Sequence, residues 1–382
     1  MNRVKFADVV IRANTKEDKD NTEKEFYVGG EHILSSEVLI KDRGVIAGST
    51  IGPMFYFGFK AGQVLFVTRN PHLKKAGMVT FDGICSEKTF VLESKDENVL
   101  LQRYLPFVLQ SNDFWSYAEA NKSGSVNYFI NWSTLAKYEF ELPSITVQRE
   151  LSDLLWAIEN TKQAYRKLLQ KTDELVKSQF IEMFGDPVGN ERRWEQCTIE
   201  EVCSRIMGGG TPSKSISQYY TGEIPWVTPK DMKTVLIEDS IDHITEEAVN
   251  NSPAKLIPAH SVLMVIRSGI LKHDLPLAIN TVPVTVNQDM KAFIVGERIT
   301  PEFLLHTFKA HKADLLSNVR AVTADNIEFG IIRNLKINLP PIDLQKRFDE
   351  FVRLSDKSKF ELEQSLKDLD FTYRRIISEN LG

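Results

Sequence analysis

The sequence predicts an α+β protein made by internal duplication, with two tandem α/β-type globular domains and two long helices that form an antiparallel coiled coil. A Leu-Pro-x-x-x-x-Gln motif occupies residues 142–148 and returns at residues 339–345, an offset of 197 residues. The apolar segment at residues 64–69 resembles residues 262–267 at an offset of 198 residues. Because the two offsets are nearly equal, they indicate one duplicated unit with a pseudo-two-fold axis.

Each Leu-Pro motif precedes a segment with apolar residues at three- and four-residue spacing and no internal Gly or Pro, which is typical of a long amphipathic helix. The predicted boundaries are an N-terminal globule at 1–146, a central helix at 147–184, a C-terminal globule at 185–343 and a C-terminal helix at 344–382. A helix of about 38 residues is about 57 Å long, longer than either globule is wide, so we expect the helices to cover each other's stripes. The residues expected to pack between them are Leu151, Leu154, Ile158, Tyr165, Leu168, Leu175, Phe348, Phe351, Leu362, Leu369 and Ile376. Beside the first stripe lie Leu155, Leu169 and Val176, and beside the second lie Val352, Leu366 and Tyr373.

The globules themselves combine strands and short helices. In the N-terminal globule the pattern predicts strands at 64–68 and 90–92 and a helix at 100–109. In the C-terminal globule it predicts strands at 262–266 and 292–295 and a helix that opens at Thr300 and Pro301, with Thr as N-cap.

The composition, with 42% hydrophobic and 26% charged residues, is that of a globular protein, and 382 residues suit two domains. The formal net charge of −5 means that any surface for nucleic acid must be a local cluster of Lys and Arg. We expect a cytoplasmic protein, because no apolar run approaches the roughly 18 residues of a membrane span and no secretory apolar segment begins the chain. The cysteines Cys85, Cys197 and Cys203 form no CxxC pair, which argues against a zinc site and a disulfide framework.

The sequence offers no catalytic or cofactor motif. Residues 208–214 (GGGTPSK) are rich in glycine but lack the GxxxxGK[ST] spacing of a phosphate-binding loop. Residues 70–72 (NPH) and 339–341 (LPP) do not form the Asn/Asp-Pro-Pro-aromatic motif of an amino-methyltransferase, and the His residues show no HExxH spacing. We therefore expect a non-catalytic chain that itself binds neither metal nor cofactor.

Two loops follow the duplicated strand, and each begins with Arg and adds basic or polar residues. Arg can pair with guanine, Asn with adenine and Lys with phosphates, so these loops are candidates for DNA contact. Polar residues before the last short helix of each globule, and one Lys after the glycine-rich stretch, extend the set. The candidates are Arg69, Asn70, Lys74, Lys75, Ser125, Asn127, Lys214, Arg267, Ser268, Lys272, His273 and Arg320. For each of them an ordinary solvated loop is the alternative, and it stays open at this point.

Two globules related by a pseudo-two-fold axis match the symmetry of a DNA duplex, whose dyads lie perpendicular to its axis. A spacer of about 57 Å could hold two reading domains one to two turns apart, since one turn is about 34 Å. Because the globules differ in sequence outside the matched segments, their half-sites should differ as well. The expected target is an asymmetric, split sequence with an unread gap.

Several motifs, in this order and spacing, resemble the specificity subunit of type I restriction-modification systems over essentially the whole chain. They are the paired Leu-Pro helix entries together with residues 27–32 (YVGGEH), 81–85 (FDGIC), 180–187 (FIEMFGDP), 208–213 (GGGTPS) and 224–232 (IPWVTPKDM).

The resemblance implies two target recognition domains, each reading one half of a bipartite DNA sequence, and helices that dock two copies of the modification methyltransferase (M) subunit. It also implies that two restriction and translocation (R) subunits can join. S-adenosylmethionine, ATP and magnesium would belong to those partners. The target bases do not follow, because recognition domains vary greatly within the family.

Two other classes of function stay open. The chain could be a coiled-coil assembly scaffold whose globules bind no DNA, and salt-dependent, sequence-selective DNA binding would exclude that class. It could also be a self-sufficient DNA-modifying enzyme, which methyl transfer by the lone chain would reveal.

Overall fold

A computed structural model describes residues 2–321 and 325–382. The chain divides into two compact units. The N-terminal unit comprises Met1–Lys167 and Glu363–Gly382, and the C-terminal unit comprises Leu168–Leu362. Each unit therefore contains a globule and one part of each long helix. The boundaries predicted from the sequence instead treated each long helix as a segment separate from the globules.

The N-terminal unit contains three sheets. Their strands are β1 (Asn2–Lys5), β2 (Val10–Ala13), β3 (Phe26–Val28), β4 (Leu39–Ile40), β5 (Gly44–Val45), β6 (Phe55–Phe59), β7 (Val64–Val67), β8 (Ala76–Val79), β9 (Gly83–Ser86), β10 (Thr89–Ser94) and β11 (Glu139–Leu142). The sheet orders are β1-β11, β2-β10-β7-β8-β4 and β5-β3-β9-β6. Most neighbouring strands are antiparallel, but β3 pairs with β9 and β4 with β8 in parallel.

The C-terminal unit repeats this arrangement. Its strands are β12 (Glu195–Thr198), β13 (Cys203–Gly208), β14 (Ile224–Val227), β15 (Leu236–Ile237), β16 (His243–Ile244), β17 (Leu256–Ile257), β18 (Val262–Val265), β19 (Leu277–Asn280), β20 (Val284–Val286), β21 (Met290–Val295), β22 (Arg320–Ala321), β23 (Asp325–Asn326) and β24 (Lys336–Leu339). The sheet orders are β12-β24, β13-β21-β18-β19-β15, β16-β14-β20-β17 and the small pair β22-β23.

The two units share one topology. Strands β1 to β10 correspond in chain order to β12 to β21, and β11 corresponds to β24. The parallel pairs correspond as well, since β14 pairs with β20 and β15 with β19 in parallel. The internal duplication predicted from the two offsets is therefore confirmed.

Short helices connect the strands, and several are only one turn long. In the N-terminal unit they are Phe6–Val9, Gly30–His32, Pro71–Leu73, Leu105–Val108, Asn112–Ala120 and Trp132–Leu135, and in the C-terminal unit Ile199–Val202, Ser217–Tyr220, Glu246–Asn250, Gly269–Lys272, Pro301–Ala310, Lys312–Ser317 and Phe329–Arg333. The predicted helix start at Thr300 is confirmed, because its hydroxyl accepts a hydrogen bond from the Phe303 N–H (3.2 Å). The helix predicted over 100–109 is shorter, Leu105–Val108, because Pro106 lacks an amide N–H and fits only the first turn.

The two long helices span Ile145–Phe184 and Ile342–Leu381, each beginning two residues before its predicted boundary. Gly185, with a φ of +82°, ends the first one, and its N–H donates to the Ile181 carbonyl (2.8 Å). This left-handed residue is a common helix terminus that favours glycine. In the part of the chain that the structure describes, no helix is long and apolar enough to cross a membrane.

Within each unit the two long helices pack against each other in antiparallel fashion. In the N-terminal unit the Lys162 ammonium lies 2.6 Å from the Asp370 carboxylate, while Leu155 and Ile377 share one apolar core. In the C-terminal unit Lys359 contacts Asp173 (3.1 Å) and the Phe180 and Phe348 rings lie 5.4 Å apart. In the N-terminal unit an earlier part of the first helix contacts a later part of the second. In the C-terminal unit a later part of the first helix contacts an earlier part of the second, as in an antiparallel pair.

The packing stripe of the first long helix differs from the predicted one. Leu154, Leu168 and Leu175 are 48%, 49% and 52% exposed, so they do not pack between the helices. The buried stripe lies one residue away and includes polar residues: Gln148, Ser152, Leu155, Glu159, Lys162, Val176 and Phe180. The prediction failed because the helix carries apolar residues on two faces, and paired polar groups occupy part of the inner one.

The other predicted packing residues are covered. Ile158 and Phe348 are buried, and the remaining predicted positions are half-buried: Leu151, Tyr165, Phe351, Leu362, Leu369 and Ile376. Of these, Leu151 and Ile376 pack against the core of the N-terminal unit and Phe351 against that of the C-terminal unit. Because residues of the long helices belong to the apolar cores of the globules, the globules and helices share their cores.

Candidate nucleic-acid interface

The predicted DNA-contact loops begin at equivalent backbone hydrogen bonds in the two units, and we call this set of hydrogen bonds the backbone frame. After β7, the Thr68 N–H donates to the Lys88 carbonyl (2.8 Å), and after β18 the Ile266 N–H donates to the Asp289 carbonyl (2.8 Å). A third segment closes each frame, because the Ile130 N–H donates to Thr68 (3.0 Å) and the Ile327 N–H to Ile266 (2.9 Å). Position 88 therefore corresponds to 289, and positions 68 and 130 to 266 and 327.

In the N-terminal unit this frame brings two predicted loops together. The Asn70 N–H donates to the Tyr128 carbonyl (2.8 Å), and Arg69 forms a bridge with Phe129. Residues 123–129 form a turn around Gly124, whose φ of +95° suits glycine, and it presents Ser125 and Asn127 to solvent. Arg69, Asn70, Ser125 and Asn127 thus lie in one loop cluster.

The two lysines of this loop differ in availability. The Lys75 ammonium donates to the Gly30 carbonyl (2.5 Å), so it already has a partner within the unit. Lys74 is half-buried and adopts a left-handed backbone with a φ of +49°. The predicted phosphate contact of Lys75 is therefore less favoured than a structural role.

In the C-terminal unit the corresponding Arg is neutralised. Both the Nε and Nη2 atoms of Arg267 lie 2.6 Å from Oδ1 of Asp289. The other oxygen of Asp289 accepts a hydrogen bond from the Asn287 amide (3.0 Å). The recurrence of Arg at this position therefore does not give the two units the same charge.

Other residues of the C-terminal loop also form contacts within their own unit. The Ser268 N–H donates to the Asp325 carbonyl (3.0 Å), and the Lys272 ammonium lies 3.6 Å from the Asp325 carboxylate. His273 is exposed. The predicted contact of the Arg320 side chain lies outside the residues whose side chains the structure describes.

The glycine-rich stretch before Lys214 is held close to β20. The Gly210 N–H donates to the Val286 carbonyl (3.0 Å), and a Cβ on Gly209 would lie 1.7 Å from the same oxygen. Only glycine permits this approach, so packing against the strand explains the motif better than phosphate binding does. Lys214 itself is exposed, and Trp226 is buried with its indole N–H donating to the Gly210 carbonyl (3.1 Å), as a core residue should be.

Two basic residues near these loops, Arg12 and Lys88, were not predicted from the sequence. Arg12 lies on β2 and lines a recess of about 240 Å³ together with Arg69 and Lys88. It was missed because it lies inside a strand rather than in a loop. A hydrogen bond from Lys88 holds the pKa of the neighbouring Glu87 below its usual value, so this carboxylate is charged beside the recess at neutral pH.

A second, larger cavity of about 1030 Å³ lies within the C-terminal unit, between Pro301–Ala310 and the parts of the long helices in that unit. Burial raises the pKa of Glu302 to about 7 and lowers that of His306 to about 3. At neutral pH the imidazole is therefore uncharged. Within residues 2–321 and 325–382, no group of three or more His, Cys, Asp or Glu side chains is arranged to hold a metal ion.

Comparison with protein families finds a match in the second half of the chain. Residues 191–369 match the family model described as the type I restriction modification DNA specificity domain. Over 165 residues the chain is 42% identical to a type I restriction enzyme specificity subunit of Escherichia coli, a match that covers 42% of this chain and 40% of that relative. A specificity subunit of Methanocaldococcus jannaschii is 26% identical over 188 residues, which cover 46% of this chain and 42% of the relative. The matched part thus spans less than half the length of either relative.

The fold has a counterpart among solved structures. The S subunit of a type I restriction-modification system from M. genitalium superimposes with a TM-score of 0.63, covering 98% of this chain and 94% of that one. The sequence identity is 12%, so this likeness concerns the fold alone.

Proposed function

We propose that the chain is a type I restriction-modification specificity subunit, the DNA sequence-specificity subunit of such a complex, because residues 191–369 match the type I restriction modification DNA specificity domain and part of the chain is 42% identical to such a subunit. Each unit acts as a target recognition domain that reads one half of a bipartite, asymmetric DNA sequence. The long helices fix the spacing of the half-sites and dock the methyltransferase subunits.

The observation that carries this proposal is the repetition of one sheet topology with unlike loops at equivalent positions. Both units place a loop after the corresponding strands β7 and β18 on the same backbone hydrogen bonds. The first loop carries Arg69 and Asn70, and the second carries Arg267 and Ser268. A common scaffold with different polar side chains suits two readers of different base sequences.

Exposed apolar residues on the long helices support the docking of partner proteins. Leu154, Leu168 and Leu175 on the first helix are about half exposed, and Phe360 and Phe371 on the second are 60% and 70% exposed. Repeated exposed apolar side chains on one element are typical of an interaction surface. We assign this surface to two M subunits, which two R subunits can join.

The chemistry belongs to the partners in this proposal. The chain contributes recognition and no catalysis, while S-adenosylmethionine, ATP and magnesium bind to the M and R subunits. Each M subunit flips the target adenine of its half-site out of the duplex. Such a complex acts on DNA in the cytoplasm.

The proposal is tested by expressing the chain with its cognate M subunits and mapping methylated adenines in DNA incubated with S-adenosylmethionine. We expect methylation at one split motif with a fixed gap, and none when the chain or the M subunit is incubated alone. Methylation by the lone chain would establish a self-sufficient enzyme instead. A complex that binds DNA without sequence preference would favour the assembly scaffold.

A further inference from the structure

The recess beside Arg69 brings together two arginines, one lysine and one glutamate of the N-terminal unit. Arg12, Arg69 and Lys88 line it together with Glu87 and Asn131. Lys88 forms an ion pair with Glu87, so these two charges largely cancel. Among the residues that the structure describes, the Arg12 and Arg69 guanidinium groups form neither an ion pair nor a side-chain hydrogen bond.

Aromatic rings hold the two guanidinium groups in place. The Arg12 Cζ atom lies 4.4 Å from the centre of the Phe90 ring and 5.2 Å from that of Phe57, and the Arg69 Cζ lies 5.9 Å from that of Phe129. A ring interacts with the face of a guanidinium and leaves its in-plane N–H donors for an anion. Both groups are half-buried, so their positive charge is screened less than that of a free surface arginine.

At the equivalent place in the C-terminal unit, acidic residues pair with the cations. Lys88 is replaced there by Asp289, which pairs with Arg267, and Tyr128 is replaced by Asp325, which lies 3.6 Å from Lys272. These correspondences follow from the shared hydrogen bonds at Thr68 and Ile266 and at Asn70 and Ser268.

The position of Arg12 carries no charge in the C-terminal unit, although Lys291 takes the place of Phe90 and lies 4.8 Å from the centre of the Phe329 ring. Arg12 pairs with Leu92 in the β2-β10 ladder, and Ile206 pairs with Phe293 in the equivalent β13-β21 ladder. Ile206 packs against the apolar core of its unit. One frame therefore holds two unpaired guanidinium groups in the N-terminal unit and a neutralised Arg in the other.

We propose that the recess of the N-terminal unit binds a phosphate group of the DNA backbone through Arg12 and Arg69, and that the C-terminal unit lacks this two-arginine site at the equivalent place. This inference rests on the proposed function. A phosphate suits the recess because its oxygens can accept from two guanidinium groups at once. Arg12 is set within a strand of the sheet, which suits an anchor on the backbone more than a reader of base edges.

The test measures DNA binding by the complex of the full chain with its M subunits, on target and non-target duplexes, between about 50 and 200 mM salt. The variants are Arg12→Gln, Arg69→Gln, the double variant, and Lys88→Asp, which gives the N-terminal recess the acidic residue of its counterpart. Arg267→Gln is the comparison at the equivalent position. Arg3→Gln, an exposed residue paired with Glu139 on a different sheet, is the control.

The double variant should weaken binding roughly tenfold on target and non-target DNA alike, because a charge-assisted contact is lost without loss of base reading. The slope of log affinity against log salt should become about 1 unit shallower, which corresponds to one phosphate. Lys88→Asp should have the same effect by pairing with Arg69. Arg267→Gln should leave the slope as it is, since Asp289 already neutralises that charge.

Three outcomes would overturn the inference while leaving the proposed function intact: an unchanged slope in the double variant, an equal loss of slope in Arg267→Gln, or a loss confined to target DNA, which would indicate base contact. Co-purification with the M subunits and an unchanged melting temperature establish that each variant is folded. Because Arg12 packs on two aromatic rings, the Arg12→Gln variant could fail to fold. In that case the salt dependence of DNA binding by Lys88→Asp tests the inference instead. A wild-type complex without salt-dependent binding would instead contradict the proposed function.

Discussion

Two glutamines at equivalent positions fasten the long helices to the globules. Gln148 accepts a hydrogen bond from the Leu101 N–H (2.9 Å) and donates to the Val99 (2.8 Å) and Pro143 (2.9 Å) carbonyls. In the C-terminal unit Gln345 accepts from the Thr300 N–H (3.0 Å) and donates to the carbonyls of Arg298 (3.0 Å) and Pro340 (2.9 Å). Both side chains are fully buried, which explains why the repeated motif ends in Gln.

Replacing either Gln by Ala should destabilise its own unit by about 2–3 kcal/mol, because buried backbone groups lose their partners. Gln148→Ala should speed hydrogen exchange at the Leu101 amide, and Gln345→Ala at the Thr300 amide. The exposed neighbour Arg149→Ala is the control and should change neither. Equal exchange at Leu101 in wild type and Gln148→Ala would show that the amide side chain does not hold this junction.

For single residues, the sequence predicted where charged side chains lie better than it predicted which groups they pair with. The repeated Arg69 and Arg267 were visible as loop residues after a strand, but the pairing of Arg267 with Asp289 depends on a turn between two later strands. Likewise, the Lys75 ammonium is taken by the Gly30 carbonyl, which is distant in sequence. The net charge of a site depends on which distant residues the tertiary structure brings next to it. A local sequence pattern cannot predict those residues.

At the scale of the long helices, the duplication extends to ion pairs between them. Lys162 contacts Glu159 (3.1 Å) and Asp370 (2.6 Å) in the N-terminal unit. In the C-terminal unit Lys359 contacts Asp356 (2.7 Å) and Asp173 (3.1 Å). Each member of the first set corresponds to one of the second at an offset of 197 residues.

The two sets differ in burial, and their energetics should differ accordingly. The side chains of Lys162 and Glu159 are 8% and 6% exposed, while Asp173, the partner of Lys359 on the other helix, is 68% exposed. Lys162→Met should cost about 3 kcal/mol, because it leaves the buried Glu159 carboxylate with only the longer contact to Arg166 (3.6 Å), whereas Lys359→Met should cost about 1 kcal/mol or less.

Denaturant titration of the full chain, followed through its helical signal, measures both losses. Adding Glu159→Gln and Asp370→Asn to Lys162→Met should recover most of the lost stability, since no buried charge then lacks a partner. Equal losses for the two lysine variants would contradict the assignment of Lys162 as the buried ion pair.

The helices also show why periodicity alone misplaced one stripe. The predicted seam included Leu154, Leu168 and Leu175, whereas the structure buries the polar residues Gln148, Ser152, Glu159 and Lys162 on the inner face of the helix. A pattern based on apolar residues cannot identify a buried stripe that is partly polar. The exposed leucines are instead available to the partner proteins proposed here.

At the scale of the whole molecule, the duplication was predictable because the repeated motifs lie in strands and helix entries that both cores require. The topology of β1–β11 and its repetition in β12–β24 follow from that duplication. The inversion of charge between Lys88 and Asp289 did not follow, because it lies in the turns where the two copies have diverged. A shared strand topology with different residues in the turns is consistent with the proposed recognition of two different half-sites.

The central claim is that the chain fixes the distance between two half-sites, and inserting one heptad into each long helix, after Lys167 and after Gln364, tests it most directly. Seven residues lengthen a helix by about 10.5 Å, which corresponds to about 3 base pairs of DNA. Mapping of methylated adenines with the variant complex should therefore return the same two half-sites separated by a gap about 3 base pairs longer. An active variant complex that methylates the same half-sites at the original spacing would contradict the claim.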